Sequence, residues 1–443
     1  MNSIAIILSA SAGAVLSSVL ACVPGLHVYN VMGLMVIGAH ALAAHGNGVP
    51  VDVLVSFSAG MIVGYAMLNT VPSVLLAAPD ESALFTVLPG QKYLMAGRGY
   101  EAVVIAAAGG LISLLLLVAA LGVLGPRLLP AAKTVLQPHL HWILWCVIAF
   151  MLLSEWPKGG TKGQAGWRKF LDAWKSTGAG LLTFLLAGFL GFILLYHSPI
   201  AVGAAFQNLM PAFAGLFTIP SLFINIVSRV EIPEQHNTMS VELNGDTLAK
   251  GVVAGTLGGG FAAFFPVITG GVGGFLAGHA TAVRDDRVFL VSQGASKLVY
   301  YVGGFLLLFV PGLEITRGGG AWLMKALYSP HSYRDHFMVL AATAFAGTVS
   351  FLLVGPLARA TLFLTRTCGY RNISRAAFIM IVGFVAAITG WMGLAVMTIS
   401  AGIGLLPLLL GSRRMNCLGV ILLPMACNMS GVGATVAQWL GLM

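Results

Sequence analysis

A proline breaks an apolar run in the same way in both halves of this chain. Residues 11–26 read SAGAVLSSVLACVPGL and residues 253–268 read VAGTLGGGFAAFFPVI. With Pro24 set against Pro266, Gly13 falls on Gly255 and Ala21 on Ala263. Each window is a helix rich in small residues that stops at the proline, which has no N–H to give and clashes with the preceding turn. Each is followed by a second short apolar piece containing glycine. A pair of broken hydrophobic helices, repeated once, restricts the chain to a duplicated membrane fold whose irregular backbone is shielded by protein or lines a cavity.

Composition agrees with that restriction. Of the 443 residues, 58% are hydrophobic and 8% charged, and the mean hydropathy is +0.93. A soluble domain of this size needs far more charge to cover its surface. The 56 glycines suit close helix packing in lipid, where small residues let backbones approach. The net charge of +9 sits in short loops between apolar runs, so it reads as a topology signal and not as a nucleic-acid surface. Cys22, Cys146, Cys368, Cys417 and Cys427 form no CxxC pair and read as small apolar residues, with no disulfide framework or metal site. Val19–Cys22 loosely resembles a lipoprotein cleavage signal, but no positive residue precedes it.

The expected fold is all-α and polytopic. Counting runs of spanning length gives about eleven crossings: residues 4–23, 53–77, 102–124, 140–154, 177–196, 248–265, 289–310, 337–364 and 417–442, with 376–410 divided in two at Gly390. Residues 28–44, 209–227 and 267–282 are short or broken. The chain therefore divides into a first transmembrane repeat (1–228), an exterior acidic linker (229–247) and a second repeat (248–443). The basic loop 156–176, the segment 366–375 and Arg413-Arg414 are expected in the cytoplasm, and the acidic segment 231–246 outside. With 28–44 and 267–282 re-entrant, all these placements are met together and the two repeats are inverted.

A broken helix points free N–H groups and a positive dipole end into the membrane, which attracts an anion. Pro24, Gly25, His27 and Asn30 at the first break, and Thr269, Gly270 and Gly271 at the second, are the candidate binding residues. The polar segment 69–103, opened by Pro72 and Ser73, reads as an interfacial connector or as a gate lining a cavity. Lys297 lies inside an apolar span, where ionisable residues are rare and functional. It is a candidate anion partner, helped by Ser292, Gln293 and Ser296, unless its stem snorkels to the interface. Asp285 and Asp286 between Arg284 and Arg287 read as a self-neutralised turn, and without a second acidic motif an enzyme acting on lipid pyrophosphate is not expected.

The segments VPG at 23–25, PSVLLAAPDESALFTVLPGQKYLMAGRGYEAV at 72–103, FFPVITGGVGG at 264–274 and GLLPLLLGSRRMNCLGVILLP at 404–424 resemble the large permease subunit of tripartite tricarboxylate transporters, especially its stand-alone archaeal-type relatives. The resemblance implies a secondary carrier for small organic anions in a prokaryotic cell membrane, driven by an ion gradient with Na⁺ or H⁺ as coupling ion and no other cofactor. It also implies possible partners, a small membrane subunit and a periplasmic binding protein. The chain departs from the pattern at the breaks, where His27 follows Pro24-Gly25-Leu26 and Val267 follows Pro266 in place of glycine. A carrier for a phosphate-bearing lipid such as a polyprenyl phosphate is the alternative on the same fold.

Overall fold

The computed structural model describes residues 3–157, 165–200, 208–228, 230–236, 241, 243–281, 285–313, 315–330 and 332–443. Among these there is no strand. The helices are α1 (Ser3–Ala21), α2 (Val28–Ala44), α3 (Val51–Leu68), α4 (Thr70–Leu75), α5 (Val87–Met95), α6 (Gly99–Leu136), α7 (Leu140–Leu153), α8 (Gly166–Tyr196) and α9 (Leu209–Phe213). They continue with α10 (Ile219–Val227), α11 (Gly245–Phe264), α12 (Gly270–Ala280), α13 (Asp286–Leu306), α14 (Gly318–Leu327), α15 (Tyr333–Cys368), α16 (Tyr370–Leu410), α17 (Gly419–Met429) and α18 (Gly433–Trp439). Seven described helices are long and apolar enough to cross a membrane, or eight if the pair bent by 118° near the carboxyl end counts as one. The chain is thus a multi-pass membrane protein. As its sequence suggests, α16 is two helices meeting at Gly390, whose φ of 65° is non-helical.

Two compact units form, and they cut across the sequence halves. One holds Met1–Thr134 and Ser221–Ile381, the other Val135–Val202, Gln207–Pro220 and Val382–Met443. In the second unit, α8 packs on α17 where a Cβ on Gly191 would stand 1.9 Å from the Val420 carbonyl oxygen. There Glu155 is buried and accepts from the backbone N–H of Arg413, whose guanidinium donates to Ser154 at 2.7 Å.

The first unit contains both broken helix pairs. α1 runs parallel to α3: a Cβ on Gly60 would meet Ala10 and Ala14, and one on Gly64 would meet Ala14 and Ser18. The ring of His27, just ahead of α2, lies tilted 4.9 Å from that of Tyr65 near the end of α3. The short link 45–50 then joins the far end of α2 to the start of α3. α2 therefore runs back along α3, and α1–α2 is a hairpin that returns to the face from which it enters.

The second pair repeats this. Gly251, Gly255 and Gly259 of α11 lie in turn against Val291, Ser292 and Ser296 of α13, so the two helices are parallel. Along α12, Gly270, Gly274 and Gly278 lie against Lys297, Gln293 and Phe289, so α12 returns antiparallel. Tyr65 meets Tyr301 edge to face at 5.6 Å and Asn69 bonds to Lys297, which makes α3 and α13 antiparallel to each other. The hairpins accordingly enter from opposite faces and their tips meet between them.

One charge-based expectation needs correction. Arg366 and Glu234 form an ion pair at 3.4 Å, so the basic segment 366–375 and the acidic segment that begins at Glu231 share one face and cannot lie on opposite sides. Counting Lys and Arg loop by loop missed this because it ignores which loops touch. Asp286 of the turn 284–287 pairs with Lys92 at 2.9 Å, while Arg284, on which the self-neutralised reading also rests, lies outside the described residues. Of the cysteines, Cys417 and Cys427 are buried, Cys22 is half-buried, and Cys146 and Cys368 are exposed.

Candidate functional site

The hairpin tips are built by different local chemistry. At the first, Gly25 takes a left-handed φ of 76°, and His27 caps α2 by accepting the Tyr29 N–H on Nδ1 at 3.2 Å. At the second, Val267 occupies the position matched to Gly25 and is forced to φ 55°, a region costly to a β-branched residue. Thr269 caps α12, its hydroxyl accepting the Val272 N–H at 3.5 Å. Beyond α4 the chain turns through Ala77, also left-handed at φ 52°, and delivers Asp80 and Glu81 to the junction of the tips.

Glu81 touches both tips. Its side chain lies 3.4 Å from His27 Nε2, and its carbonyl accepts the Thr269 hydroxyl at 3.3 Å. Tyr301 of α13 places its hydroxyl 2.8 Å from Asp80 Oδ2, 3.0 Å from Glu81 Oε1 and 3.1 Å from His27 Nε2. The His27 ring is walled by Tyr29, Tyr65 and Tyr301, with centroids 4.6, 4.9 and 5.8 Å away.

Lys297 is 2% exposed, so it does not snorkel. Its ammonium donates to Thr70 Oγ1 at 2.6 Å and to Asn69 Oδ1 at 3.2 Å. The other end of the Asn69 amide donates to Asp80 Oδ2, so one side chain bridges the buried cation and the carboxylate. Gly270 makes room for this lysine: a Cβ there would stand 2.9 Å from Lys297 Cα.

Of the residues singled out from sequence, the structure brings together Pro24, Gly25 and His27 at one tip, Thr269, Gly270 and Gly271 at the other, and Ser73, Ser296 and Lys297 around them. Ser73 donates to the Asn69 carbonyl at 2.7 Å and Ser296 to the Gly270 carbonyl at 2.7 Å. Pro72 stays in the buried short helix α4. Asn30 lies in the first turn of α2 and makes no side-chain bond to the cluster among the described residues. Ser292 and Gln293 are buried with no partner for the hydroxyl or for either amide atom. Sequence reasoning missed Tyr65, Asn69, Asp80, Glu81 and Tyr301 as a group. The available signals were the adjacent acids within an apolar stretch and the position of Tyr301, one helical turn beyond Lys297 on the same face.

His27, Asp80 and Glu81 bring ligand-type atoms within 4.8 Å of one another. They make a poor metal centre. Asp80 Oδ1 already accepts the N–H groups of Ser82 and Ala83 at 3.0 and 2.9 Å, and Oδ2 accepts Tyr65 at 2.9 Å, Tyr301 and Asn69. A carboxylate offers about four lone-pair sites, so Asp80 has none to spare.

Two hairpins meeting at a buried polar site define a membrane transporter. The chain belongs to the tripartite tricarboxylate transporter TctA family, whose model matches residues 7–419. That family consists of transporters and not enzymes. An uncharacterized protein of Methanocaldococcus jannaschii is 24% identical over 364 residues, covering 82% of each chain. No solved structure matches the chain.

Proposed function

We propose that this protein is a secondary transporter that moves a small di- or tricarboxylate-like anion across a prokaryotic cell membrane by alternating access, driven by an ion gradient. The observation that carries this reading is the meeting of two opposed helix hairpins at Glu81, with the buried Lys297 packed against the second tip. The first N–H groups of α12, at Gly270 and Gly271, have no acceptor within their own helix. With the ammonium of Lys297 they make a set of donors suited to one carboxylate. The unpartnered amide of Gln293, one turn from Lys297, suits a second polar group of the substrate. Lys297 is held in place by Asn69 and Thr70. The tripartite family name supports, as partners, a small membrane subunit and a periplasmic binding protein that delivers the anion.

The test is uptake by purified protein in liposomes, comparing labelled di- and tricarboxylates with labelled polyprenyl phosphate. Saturable carboxylate uptake is expected. Movement of the lipid phosphate alone would replace this reading with a lipid carrier.

A further inference from the structure

We propose that Glu81 is the binding site for a coupling proton, taken up together with the anion; this rests on the transporter reading above. The charged groups that meet at the hairpin tips are Asp80, Glu81 and Lys297, with His27, Tyr29, Tyr65, Tyr300 and Tyr301 as the other titratable side chains facing them from α2, α3 and α13. Lys297 and Asp80 balance each other through Asn69. Glu81, 5% exposed, faces the His27 ring at 3.4 Å, and with that ring neutral it is an unbalanced negative charge in the place where an anion must bind. The site accepts an anionic substrate only when a cation has cancelled that charge.

Three geometric facts select a proton and its position. Asp80 is saturated by its donors, so a proton arriving there must displace one of them. His27 uses Nδ1 to accept the Tyr29 N–H, so its neutral ring carries hydrogen on Nε2, and a second proton on Nδ1 would remove the cap of α2. Glu81 is held more loosely: it shares the Tyr301 hydroxyl with Asp80, and meets the Ser82 hydroxyl at 3.5 Å and His27 at 3.4 Å. The adjacent acids act as one coupled unit, and the proton settles on the member with fewest donors. The step is a simple protonation. Hydronium on the loading side gives its proton to the Glu81 carboxylate, forming one O–H bond and leaving water. After the hairpins rearrange, that proton passes to water on the other face. The His27 ring, 17% exposed against 7% for the Glu81 side chain, lies on the more open side of the pair, the side from which the proton arrives.

The proposal is tested with the purified full chain in two ways. By infrared spectroscopy, acidification of the wild type should give a protonated-carboxyl band that is absent from Glu81→Gln and present in Asp80→Asn. In liposomes, an imposed pH gradient should drive carboxylate accumulation by the wild type. Glu81→Gln should lose that accumulation while still exchanging internal for external substrate, because exchange needs no net proton release. A band that survives in Glu81→Gln, or one that vanishes in Asp80→Asn, overturns the assignment; so does accumulation driven by a sodium gradient alone. Should Glu81→Gln fail to fold, Asp80→Asn decides. Should the wild type carry no carboxylate, the transport reading fails while the infrared result still judges the proton site.

Discussion

Gly13 and Gly255, matched in the two halves of the sequence, hold the same place in the two hairpins. Each lies under a carbonyl of the neighbouring parallel helix, so that a Cβ would stand 2.1 Å from the Phe57 oxygen and 2.4 Å from that of Ser292. Both oxygens are backbone and cannot swing aside. Gly13→Ala and Gly255→Ala should each lower stability by about 1–3 kcal/mol through overpacking. Gly260→Ala, where nothing lies within 4 Å, should be neutral or gain up to ~1 kcal/mol from helix propensity. Thermal unfolding in detergent compares the three, and equal behaviour would refute the close approach.

Val267 holds at φ 55° the place where its counterpart Gly25 has φ 76°. Strain of about 1–3 kcal/mol is stored at such a residue. Val267→Gly should raise stability by roughly 1 kcal/mol, since the strain relieved exceeds the added freedom of the unfolded chain. A lower melting temperature would show that the side chain's packing outweighs the strain.

Lys297→Met leaves two buried carboxylates facing no cation, and loss of one partner from a buried charge pair costs about 3–5 kcal/mol. Stability and transport should both fall. Adding Asp80→Asn should restore much of the stability without restoring transport, a non-additivity that a double-mutant cycle measures. Lys297→Arg should also impair uptake, because a wider planar head does not reproduce the contacts that the ammonium makes with Thr70 and Asn69. Additive losses would mean that Lys297 and Asp80 are not coupled through Asn69.

The antiparallel hairpins fix sidedness. In a cysteine-free background, a cysteine at Glu234 should label from one side of the membrane and a cysteine at Arg334 from the other. Glu234 lies on the face of Arg366, whereas Arg334 pairs with Asp52 at 3.3 Å, beside the start of α3. Labelling of both from one side would contradict the arrangement of α3 against α13.

The broken helices were legible in the sequence because a proline in an apolar run has few other uses, and Lys297 because a charge in lipid needs a reason. The return of α2 was not. Residues 28–44 are nearly long enough to cross, and the contacts of His27 and Tyr29 with Tyr65 and Tyr301 show which way the helix runs. The role of Asp80 and Glu81 was hidden for a different reason: among Lys92, Arg98 and Glu101 they look like part of an interfacial connector. Arg98 and Glu101 do neutralise each other at 2.6 Å; nothing local distinguishes that pair from the acids that travel inward.

The charges that compensate one another come from opposite halves of the chain. Asp80 and Glu81 are made early, and Lys297 and Tyr301 follow only after the second hairpin. During synthesis the first half must therefore hold its two acids without their cation, at the expense that lipid exacts for unpaired charge. Asp80 meets its counter-charge only when the halves dock, so a truncated or mispaired copy keeps that acid uncompensated inside the membrane.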